Sequence, residues 1–476
     1  MERRDFLRLL GAGALFATTG RTSASGSSPG RRPNVILCMA DDQGWGDMAY
    51  NGNPVVKTPH FDQMAAASLR FDRFYAAAPV CSPTRGSVMT GRHPNRFGCL
   101  SWGRTLRPQE TTIAEALKDA GYVTGHFGKW HLGPVRAGSP LNPGASGFDE
   151  WLSAPNFFDN DPILSRKGTA VQMHGESSIV TVDAALEFIR KHAGSPRPFL
   201  AVVWFGSPHR PHRAAERFRA MYPNQSARRQ NFLGEITGMD YAVGKLREEL
   251  RALGIHEETL LWYCSDNGGL PEGDTGGRGT KGSIWEGGLR VPGILEWPGR
   301  IAAGRVTDMP CVTSDIYPTV LDIADALPAD QARLDGVSLA PLLRGGMGRR
   351  PRPIGFWHDP GYGRPISSRK LMSALLRAQQ EGREVNPHTF GEDPGQIARR
   401  YPEDTFPGHS AWLDWPWKLH RIQEEDAVRF ELYNLEDDPG EGTNASATEP
   451  ERAAVMEAGL EKWLRSVVHS LNGGDY

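Results

Sequence analysis

The sequence has no run of apolar residues long enough to cross a membrane. A spanning helix needs about 18–20 consecutive apolar residues, and no stretch of the 476-residue chain reaches that length. The mature chain is therefore not expected to cross a bilayer. Charge of one sign is also not in excess, because 54 lysines and arginines face 56 aspartates and glutamates, for a formal net charge of −2. This balance excludes an overall basic field for nucleic acid or an anionic membrane, although local patches remain open.

Cysteine is scarce, and its spacing excludes two common uses of the thiol. The five cysteines are widely spread, contain no C-x-x-C pair and do not resemble a disulfide framework. Cys38 and Cys264 lie in apolar runs and are predicted to be buried thiols. Because an odd number of cysteines suggests that one of them has another role, we consider Cys81 the candidate.

The first thirty residues have the order of an export signal. Arg3 and Arg4 precede a short apolar stretch at 9–16, and small residues at 22–26 follow as a candidate cleavage site. This order resembles the twin-arginine bacterial export signal and predicts the periplasm or the cell exterior. A disordered basic tail is the alternative interpretation. Residues 1–32 are assigned to this signal and its linker.

The remaining chain has enough apolar residues, 39% of the total, for a sizeable core. Helical patterns separate short apolar runs and include a capping box from Thr112 to Glu115. This alternation predicts an α/β fold with a parallel sheet covered on both faces, in which ligands bind outside the carboxyl ends of the strands. The apolar runs are 34–40, 122–127, 199–205 and 260–265, and the helical patterns are 112–121, 181–192 and 235–253.

Acidic and amide side chains follow two of the predicted strands. Asp41 and Asp42 come after the first run, and Asp266 and Asn267 after the fourth. Their oxygen atoms suit a hard cation such as Ca²⁺ or Mg²⁺, whereas zinc normally brings histidine or cysteine. A single Asp-Asp pair is more often a cap or a turn. Two acidic clusters at two strand ends are harder to explain without a cation, because unpaired carboxylates repel one another.

Basic residues form a second group at strand ends and on glycine-rich loops. The group contains Arg85, Lys129, His131, His209 and Lys281. Fixed cations beside a metal ion can bind a small tetrahedral oxyanion and stabilise charge as a bond to its central atom breaks. A lone histidine of this kind is more often structural, but five such residues favour a site.

The segment 81–92, C-S-P-T-R-G-S-V-M-T-G-R, resembles the signature C-x-P-x-R followed by T-G-R of the type I sulfatases. These are the formylglycine-dependent, cysteine-type sulfatases of the alkaline phosphatase superfamily. Pro83, tolerated in a first helical turn, places Cys81 at the amino end of a buried helix. Further segments resemble family motifs in the same order, namely D-D-Q-G-W-G-D at 41–47, T-P-H-F-D at 58–62 with two substitutions, G-K-W-H-L-G at 128–133, D-N-G at 266–268, K-G through R-V-P at 281–292 and E-L-Y-N-L-E-D-D-P-G-E at 431–441.

The resemblance implies a nucleophile made from Cys81. A maturation enzyme would oxidise this cysteine to formylglycine (3-oxoalanine), whose hydrate attacks the sulfur of the substrate. The second hydroxyl of the hydrate then drives the release of sulfate and the return of the aldehyde, so covalent catalysis divides one difficult step into two. One Ca²⁺ per chain would be bound by Asp41, Asp42, Asp266 and Asn267 and would also contact the hydrate at position 81.

The same mapping assigns roles to the basic residues. Arg85 would orient the formylglycine, and Lys129 and His131 would lie beside its hydrate, with His131 assisting the second step. His209 and Lys281 would hold the sulfate and protonate the leaving alcohol oxygen.

The carboxyl-terminal third is predicted to be a separate part of the fold. We assign a catalytic α/β domain to 33–328 and a C-terminal subdomain to 329–476, with a loop-rich insertion at about 359–410 and a helix near 371–380. The family resemblance implies a smaller antiparallel sheet with a terminal helix here, beside the large mixed, mostly parallel sheet. That helix is favoured by apolar residues on one helical face, which are Met456, Leu460, Trp463, Leu464, Val467 and Leu471.

Aromatic and basic residues of this third are candidates for substrate recognition. Trp412, Trp415 and Trp417 could stack on sugar rings, although packing between subdomains is favoured for the last two. Charged groups that could bind anions are His388, His409, Arg399 and Arg400. His212 is ranked below His209 and interpreted as a rim residue or one that contacts the rest of the substrate.

These observations predict an exported sulfatase that acts on sulfate esters, with sulfated carbohydrates of the cell exterior as its expected substrates. Its partners would be this substrate, the maturation enzyme and the export machinery. An alternative within the same superfamily is a phosphate or phosphonate monoester or diester hydrolase. The other alternative is a catalytically silent glycan-binding protein, although such a protein has no need of the whole set of basic residues.

Overall fold

A computed structural model describes residues 32–383, 397, 399–424 and 427–476. Residues 1–31, which carry the predicted export signal, and His388 lie outside the described residues. Residues 32–476 form a single unit by their contacts, so the proposed division near residue 328 stays a prediction. Among the described helices, none is both long and apolar enough to span a membrane.

The strands and helices alternate through the first two thirds of the chain. The strands are β1 (Asn34–Ala40), β2 (Leu69–Tyr75), β3 (Val123–Lys129), β4 (Glu150–Ala154), β5 (Ile163–Arg166), β6 (Thr169–Gln172), β7 (Phe199–Trp204), β8 (Thr259–Ser265), β9 (Arg290–Glu296), β10 (Arg305–Thr307), β11 (Cys311–Val312), β12 (Ile354–His358), β13 (His409–Asp414), β14 (Trp417–Glu424) and β15 (Ala427–Asn434). The helices are α1 (Pro59–Ala66), α2 (Cys81–Thr90), α3 (Ile113–Asp119), α4 (Ser177–His192), α5 (Glu216–Arg219), α6 (Ala227–Ala252), α7 (Glu286–Leu289), α8 (Ile316–Ala324), α9 (Ala340–Leu343), α10 (Ser368–Gln380) and α11 (Pro450–Leu471).

The larger sheet is mixed and mostly parallel, which confirms the predicted fold class. Within the described ranges it has eleven strands in the order β10-β2-β9-β8-β1-β7-β3-β4-β5-β6, with β11 paired to β2. The five central strands β8, β1, β7, β3 and β4 run parallel to one another. The strand β9 is antiparallel to both of its neighbours. The carboxyl ends of the central strands therefore meet at one edge.

Helices cover both faces of this sheet, as the alternating pattern predicts. Ile36 and Cys38 of β1 pack in the apolar cluster that includes α1, α4 and α6. Val35 and Leu37 point to the other face and pack with α2, α3 and α8. Because both faces are buried, β1, β7 and β8 are nearly continuous apolar runs without polar alternation. All five cysteines are buried and free.

Some elements are longer than their apolar patterns. α6 begins at Ala227, whereas the apolar pattern predicted a start at 235. The pattern missed the first turns because they are exposed and have no apolar period. Ser226 caps the helix, and its side chain accepts a hydrogen bond from Arg229 N–H. The strand β3 continues past its apolar residues to Lys129, a lysine that the fold buries completely.

The smaller sheet is antiparallel, with the order β12-β13-β14-β15. α11 lies against it and buries the six apolar residues predicted for its inner face. The predicted helix near 371–380 is α10, which begins three residues earlier at Ser368.

The predicted capping box of α3 is present and gives a test of local stability. Thr112 Oγ1 accepts a hydrogen bond from Glu115 N–H at 3.1 Å, and the Glu115 carboxylate accepts one from Thr112 N–H at 2.8 Å. Thr112→Ala should lower the free energy of unfolding by about 0.5–2 kcal/mol, because it removes the cap. Denaturant unfolding measures this, with Thr112→Ser as the control that keeps the oxygen. An equal loss in both variants would contradict the capping role.

Candidate active site

The predicted acidic pairs and several of the predicted basic residues meet at one edge of the larger sheet. Asp41 and Asp266 each directly follow one of the adjacent parallel strands β1 and β8. Lys129 is the last residue of β3, and His209 follows β7, which lies between β1 and β3. The strand order alone therefore converts distant sequence positions into neighbours.

The two acidic pairs are in direct contact. The backbone N–H of Asp42 donates a hydrogen bond to Asp266 Oδ1 at 3.2 Å. Asn267 Nδ2 donates one to Asp42 Oδ1 at 3.0 Å. Asp41, Asp42, Asp266 and Asn267 are all at most 1% exposed. Three carboxylates buried this close together repel one another unless positive charge lies between them.

Three basic side chains provide that positive charge. Arg85 donates from Nε and Nη2 to Asp266 Oδ2 at 3.0 and 2.7 Å. Lys129 Nζ donates to Asp41 Oδ2 at 2.7 Å, and Lys281 Nζ donates to Asp42 Oδ1 at 2.5 Å. Although burial by itself raises the pKa of Asp42, the charge of Lys281 and hydrogen bonds from Lys281 and Asn267 hold it well below the usual range. Asp42 is therefore a carboxylate.

A glycine allows Lys129 to reach its position. Gly128 has a φ of +100°, and a Cβ built there would lie 1.9 Å from the carbonyl oxygen of Trp204 on β7. Residues with a side chain are therefore excluded at position 128 by both the backbone conformation and this close approach. The two strands can stay paired to the point where Lys129 turns toward Asp41.

Cys81 is the first residue of α2, as Pro83 predicts. Its side chain is 1% exposed, and its Sγ belongs to a group with carboxylate oxygens of Asp41 and Asp266 whose atoms all lie within 4.8 Å of one another. Arg85 lies one helical turn later, on the same face of α2. Burial raises the pKa of the Cys81 thiol, although the charges of Lys129 and Lys281 oppose this. The unmodified residue is therefore a neutral thiol.

His131 is buried without a hydrogen-bond partner in the described part of the chain. Both ring nitrogens lack one, the side chain is 2% exposed, and the backbone has an uncommon φ of +54°. Burial and the neighbouring charges of Lys129 and Arg85 hold the pKa of this imidazole well below its usual value. His131 is therefore a neutral ring with two free positions.

His209 lies at the open side of the cluster. Its Nε2 is 3.8 Å from Asp42 Oδ2, and its ring stacks on Phe157 with 4.7 Å between the ring centroids. Burial lowers its pKa to about 3, although Asp42 acts in the opposite direction. The stacking holds the ring beside Asp42 and Lys281.

His212 differs from the predicted rim position. Its side chain is only 4% exposed and lies between two carboxylates, with Nδ1 3.7 Å from Glu235 Oε2 and Nε2 3.9 Å from Glu272 Oε1. The ring also packs edge-on against Phe232. His212 is buried because the segment after His209 folds back onto α6.

The donor set fits a hard divalent cation. Asp41 Oδ1 and Asn267 Oδ1 are buried oxygen atoms that have no hydrogen-bond partner among the described residues. Buried acceptors of this kind need a donor or a cation. Oxygen atoms of Asp41 and Asp42 also lie within 4.8 Å of His209. The acidic pairs therefore have free oxygen positions for an ion such as Ca²⁺.

A buried polar network behind Lys281 was missed by the sequence reasoning. Lys418 Nζ on β14 lies 2.8 Å from Glu286 Oε1 and 3.0 Å from Glu441 Oε1. Tyr75 OH donates to Glu286 Oε2 at 2.9 Å, and the Glu286 N–H donates to Glu441 Oε2 at 2.7 Å. Glu286 and Glu441 lie in the motif segments 281–292 and 431–441. Their place in these two motifs was the one sequence feature that could have indicated the network.

This network holds the loop that carries Lys281 in place. Arg278 Nη1 donates to the carbonyl oxygen of Glu441 at 2.8 Å. The backbone N–H of Lys281 donates to Gly269 O, and that of Gly282 donates to Pro79 O, two residues before Cys81, both at 2.9 Å. The smaller sheet therefore helps to hold Lys281 beside the helix that begins with Cys81.

The other predicted recognition residues do not all reach the cleft. Trp415 and Trp417 are half-buried and pack against apolar clusters of the smaller sheet. His409 Nε2 lies 2.9 Å from His420 Nδ1 and belongs to the network behind Lys281. Arg399 is exposed, and Arg400 lies over the ring of Tyr362 at 4.1 Å.

The sequence resembles curated proteins over most of its length. The family described as Sulfatase matches residues 33–326. N-acetylgalactosamine-6-sulfatase of Canis lupus familiaris is 31% identical over 388 residues, which cover 72% of this chain and 71% of that protein. Steryl-sulfatase of Rattus norvegicus is 31% identical over 418 residues, which cover 67% and 71%.

Solved structures share the architecture. The crystal structure of Ps i-CgsB in complex with k-i-k-neocarrahexaose aligns with a TM-score of 0.75 and 25% identity, covering 91% of this chain and 93% of that one. Phosphonate monoester hydrolase of Agrobacterium radiobacter aligns with a TM-score of 0.63 and 23% identity, covering 94% and 96%. At this lower identity the likeness shows the fold alone.

The network behind Lys281 gives a stability test. Lys418→Met should lower the free energy of unfolding by about 3–5 kcal/mol, because it leaves two buried carboxylates without their cation. The control is Lys245→Met, which removes an exposed ion pair with Asp183 and should change stability by less than about 1 kcal/mol. Denaturant unfolding compares the two, and similar small losses would show that Lys418 does not compensate Glu286 and Glu441.

Proposed function

Because this chain belongs to the sulfatase family and is a sulfuric ester hydrolase, we propose that it is an exported enzyme that removes sulfate from carbohydrates. It would use a formylglycine made from Cys81 and one bound Ca²⁺. The observation that carries this proposal is the contact of two acidic strand ends with each other and with the residue at the start of α2.

The metal would be held by Asp41, Asp42, Asp266 and Asn267. The unpartnered oxygens of Asp41 and Asn267 support this assignment, since both are buried acceptors without a donor. A bound Ca²⁺ would supply charge neutralisation for a sulfate oxygen and for the nucleophile. Arg85 and Lys129 keep their places through ion pairs with Asp266 and Asp41. They would limit how far the carboxylates move when the ion leaves.

Position 81 would present the nucleophile. Its place in the first turn of the ten-residue helix α2 directs it toward the acidic pairs and puts the positive end of the helix dipole behind it. When converted to formylglycine, this residue would supply a hydrated aldehyde with two hydroxyl groups, one to attack sulfur and one to release sulfate. Arg85 lies one turn away and would fix the orientation of the side chain.

The remaining polar residues would bind sulfate and move protons. Lys129 and Lys281 are charged groups that flank the site and would neutralise the non-bridging oxygens of the ester. His209 and Lys281 lie together at the Asp42 side and would hold the sulfate. The charged Lys281 would supply the proton for the leaving alcohol oxygen, because the low pKa of His209 leaves its ring neutral. His131 is neutral with free ring nitrogens, so it would accept a proton when sulfate is released.

The carbohydrate substrate is supported by two relatives and by the export signal predicted in residues 1–32. N-acetylgalactosamine-6-sulfatase is named for a sugar sulfate, and Ps i-CgsB was solved with a neocarrahexaose. Steryl-sulfatase is an equally similar relative with a different substrate name. Export favours an extracellular polysaccharide or its fragments, and it would require the export machinery as well as the maturation enzyme.

The hydrolase of phosphate or phosphonate esters is the second candidate. The fold of phosphonate monoester hydrolase favours it as an alternative, because both reactions involve a tetrahedral anion. A silent glycan-binding protein is disfavoured by the complete set of basic residues around Cys81, since such a protein has no need of all of them.

The nucleophile can be tested by mass and by turnover. Conversion of Cys81 lowers the mass of the intact protein by about 18 Da, and only the converted protein should release sulfate, because the thiol lacks the second hydroxyl. Cys81→Ala should show neither the mass change nor sulfate release, whereas the buried-thiol control Cys264→Ala should keep both. Sulfate release by Cys81→Ala would refute the nucleophile. Faster cleavage of a phosphate diester than of a sulfate ester by the same converted sample would favour the second candidate.

Metal binding can be tested without an activity assay. Ca²⁺ at about a hundredfold excess over its dissociation constant should raise the free energy of unfolding of chelator-treated protein by about 2.7 kcal/mol. Asp266→Asn and Asn267→Ala should weaken this stabilisation, since both remove ligand oxygens. Asp240→Asn is the control, because this buried carboxylate accepts backbone hydrogen bonds from Phe61 and His60 elsewhere. Identical thermal unfolding with Ca²⁺ and with chelator would contradict the site.

A further inference from the structure

A second concave surface lies at one end of the smaller sheet. It is a groove of about 620 Å³ between the loops at 308–310 and 348–353, the turn between β13 and β14, and the first turn of α11. None of its lining residues belongs to the candidate active site. We call it the arginine groove after the four arginines that line it, which are Arg349, Arg350, Arg352 and Arg452.

The arginine groove lies at the Asp414 end of β13, and His409 is at the other end of this strand. His409, at the start of β13, pairs with His358 of β12. After His358 the chain continues into the loop before α10, where Arg364 N–H donates a hydrogen bond to Trp102 O. The next residue, Gly103, donates one to Ser82 Oγ of α2. Asp414, at the groove end, is five residues further along the strand, or about 17 Å. Because none of the groove residues belongs to the candidate active site, a ligand in the groove does not occupy the catalytic cleft.

The groove has positive charge that its own acids do not fully compensate. Arg352 donates to the carbonyl oxygen of Gly336 and has no carboxylate partner among the described residues. Burial is the main cause that lowers the pKa of Arg352, and the charges of Arg350 and Arg333 act in the same direction, whereas Asp335 and Asp315 oppose it. The lining itself contains four arginines and two aspartates, Asp308 and Asp414. An anion in the groove would be attracted by this excess of positive charge.

One buried donor also lacks a partner. Arg350 forms a double ion pair with Asp315 at 2.6 and 2.8 Å through Nη1 and Nη2. Its Nε is buried and has no hydrogen-bond partner in the described part of the chain. The side chain is 6% exposed, so its position is fixed. Arg349 differs from it in exposure, because its side chain is 81% exposed and lies 3.5 Å from Asp414.

Flat apolar surfaces lie beside these charges. Trp415 and Trp417 form opposite sides of the turn between β13 and β14 and line the groove. The Arg73 guanidinium lies 3.7 Å from the ring centroid of Trp415, and that of Arg452 lies 4.7 Å from Trp417. Arginine binds oxyanions such as sulfate through paired N–H groups, and an indole offers a flat surface for the apolar face of a sugar. The two features together match a chain of sulfated sugars.

We propose that the arginine groove is a second binding site for a sulfated carbohydrate chain, outside the catalytic cleft. The proposal rests on the proposed carbohydrate substrate for its biological use, but the groove chemistry stands on its own. A polymer held in the groove raises the effective concentration of its other sulfated units at the active site. The groove would therefore promote turnover of polymers and have no effect on small substrates.

Binding can be measured with Cys81→Ala protein, which is not expected to turn over substrate. The protein migrates through native gels that contain chondroitin sulfate, unsulfated hyaluronan or neutral dextran. Chondroitin sulfate should retard it most, and Arg349→Ala/Arg352→Ala should weaken this binding by about tenfold or more, because two charge-assisted contacts are lost. Trp417→Ala is a second variant that keeps the charge and should also weaken binding.

The matched control is Arg190→Ala/Arg465→Ala, which removes the same charge from two exposed ion pairs on α4 and α11. Equal weakening in control and groove variants would overturn the proposal, because the effect would then depend on net charge. Equal retardation by hyaluronan would overturn the assignment to sulfate groups. Chondroitin sulfate binding that only the groove variants lose supports the proposal.

Turnover separates this proposal from the proposed function. With converted enzyme, the groove variants should keep kcat/KM for a small aryl sulfate and raise KM for the sulfated polymer. Unchanged KM for the polymer would overturn the role in substrate capture. If no sulfate ester is hydrolysed but groove-dependent binding persists, the proposed function fails and the binding site stands.

Discussion

The structure depends on the neutralisation of three buried carboxylates at the edge of the larger sheet. Asp41, Asp42 and Asp266 are almost completely inaccessible to solvent. The backbone N–H of Asp42 donates a hydrogen bond to the Asp266 carboxylate, and Asp41 precedes Asp42 directly in the chain. Such a group is unstable unless cations enter it. Arg85 from α2 and Lys129 from β3 therefore have a structural role, since they pair with Asp266 and Asp41. The fold satisfies this constraint because parallel strands bring their carboxyl ends together.

The same constraint gives the carboxyl-terminal third a part in the site. Lys281 pairs with Asp42 but lies on a loop rather than on a strand. A loop holds a charged group in place only if other contacts restrict it, and here the restriction comes from Glu286, Lys418 and Glu441. The smaller sheet thus acts on the active site through the position of one lysine, although it contributes no residue to the acidic pairs.

The sequence predicted the residues that depend on strand order and could not predict those that depend on side-chain partners. Asp41 and Asp266 were recognisable because each follows a continuous apolar strand, and Cys81 because Pro83 signals a helix start. Lys418 was not, since its partner Glu286 is 132 residues away and its chain neighbours indicate only a strand. His212 looked equivalent to a surface histidine, because its local sequence does not show that Glu235 and Glu272 enclose it.

Formal charge does not distinguish the sulfate ester from the phosphate ester that is the second candidate substrate. The aspartates 41, 42 and 266 contribute −3, and Arg85, Lys129 and Lys281 contribute +3, while the low pKa of His131 and of His209 keeps both rings neutral. The protein groups therefore sum to zero, and a divalent cation makes the site +2. This charge is complementary to the sulfate dianion that the reaction releases, and a sulfate monoester and a phosphate diester each carry −1. Charge alone cannot separate those two substrates, so selectivity must come from contacts to the group beyond the tetrahedral centre.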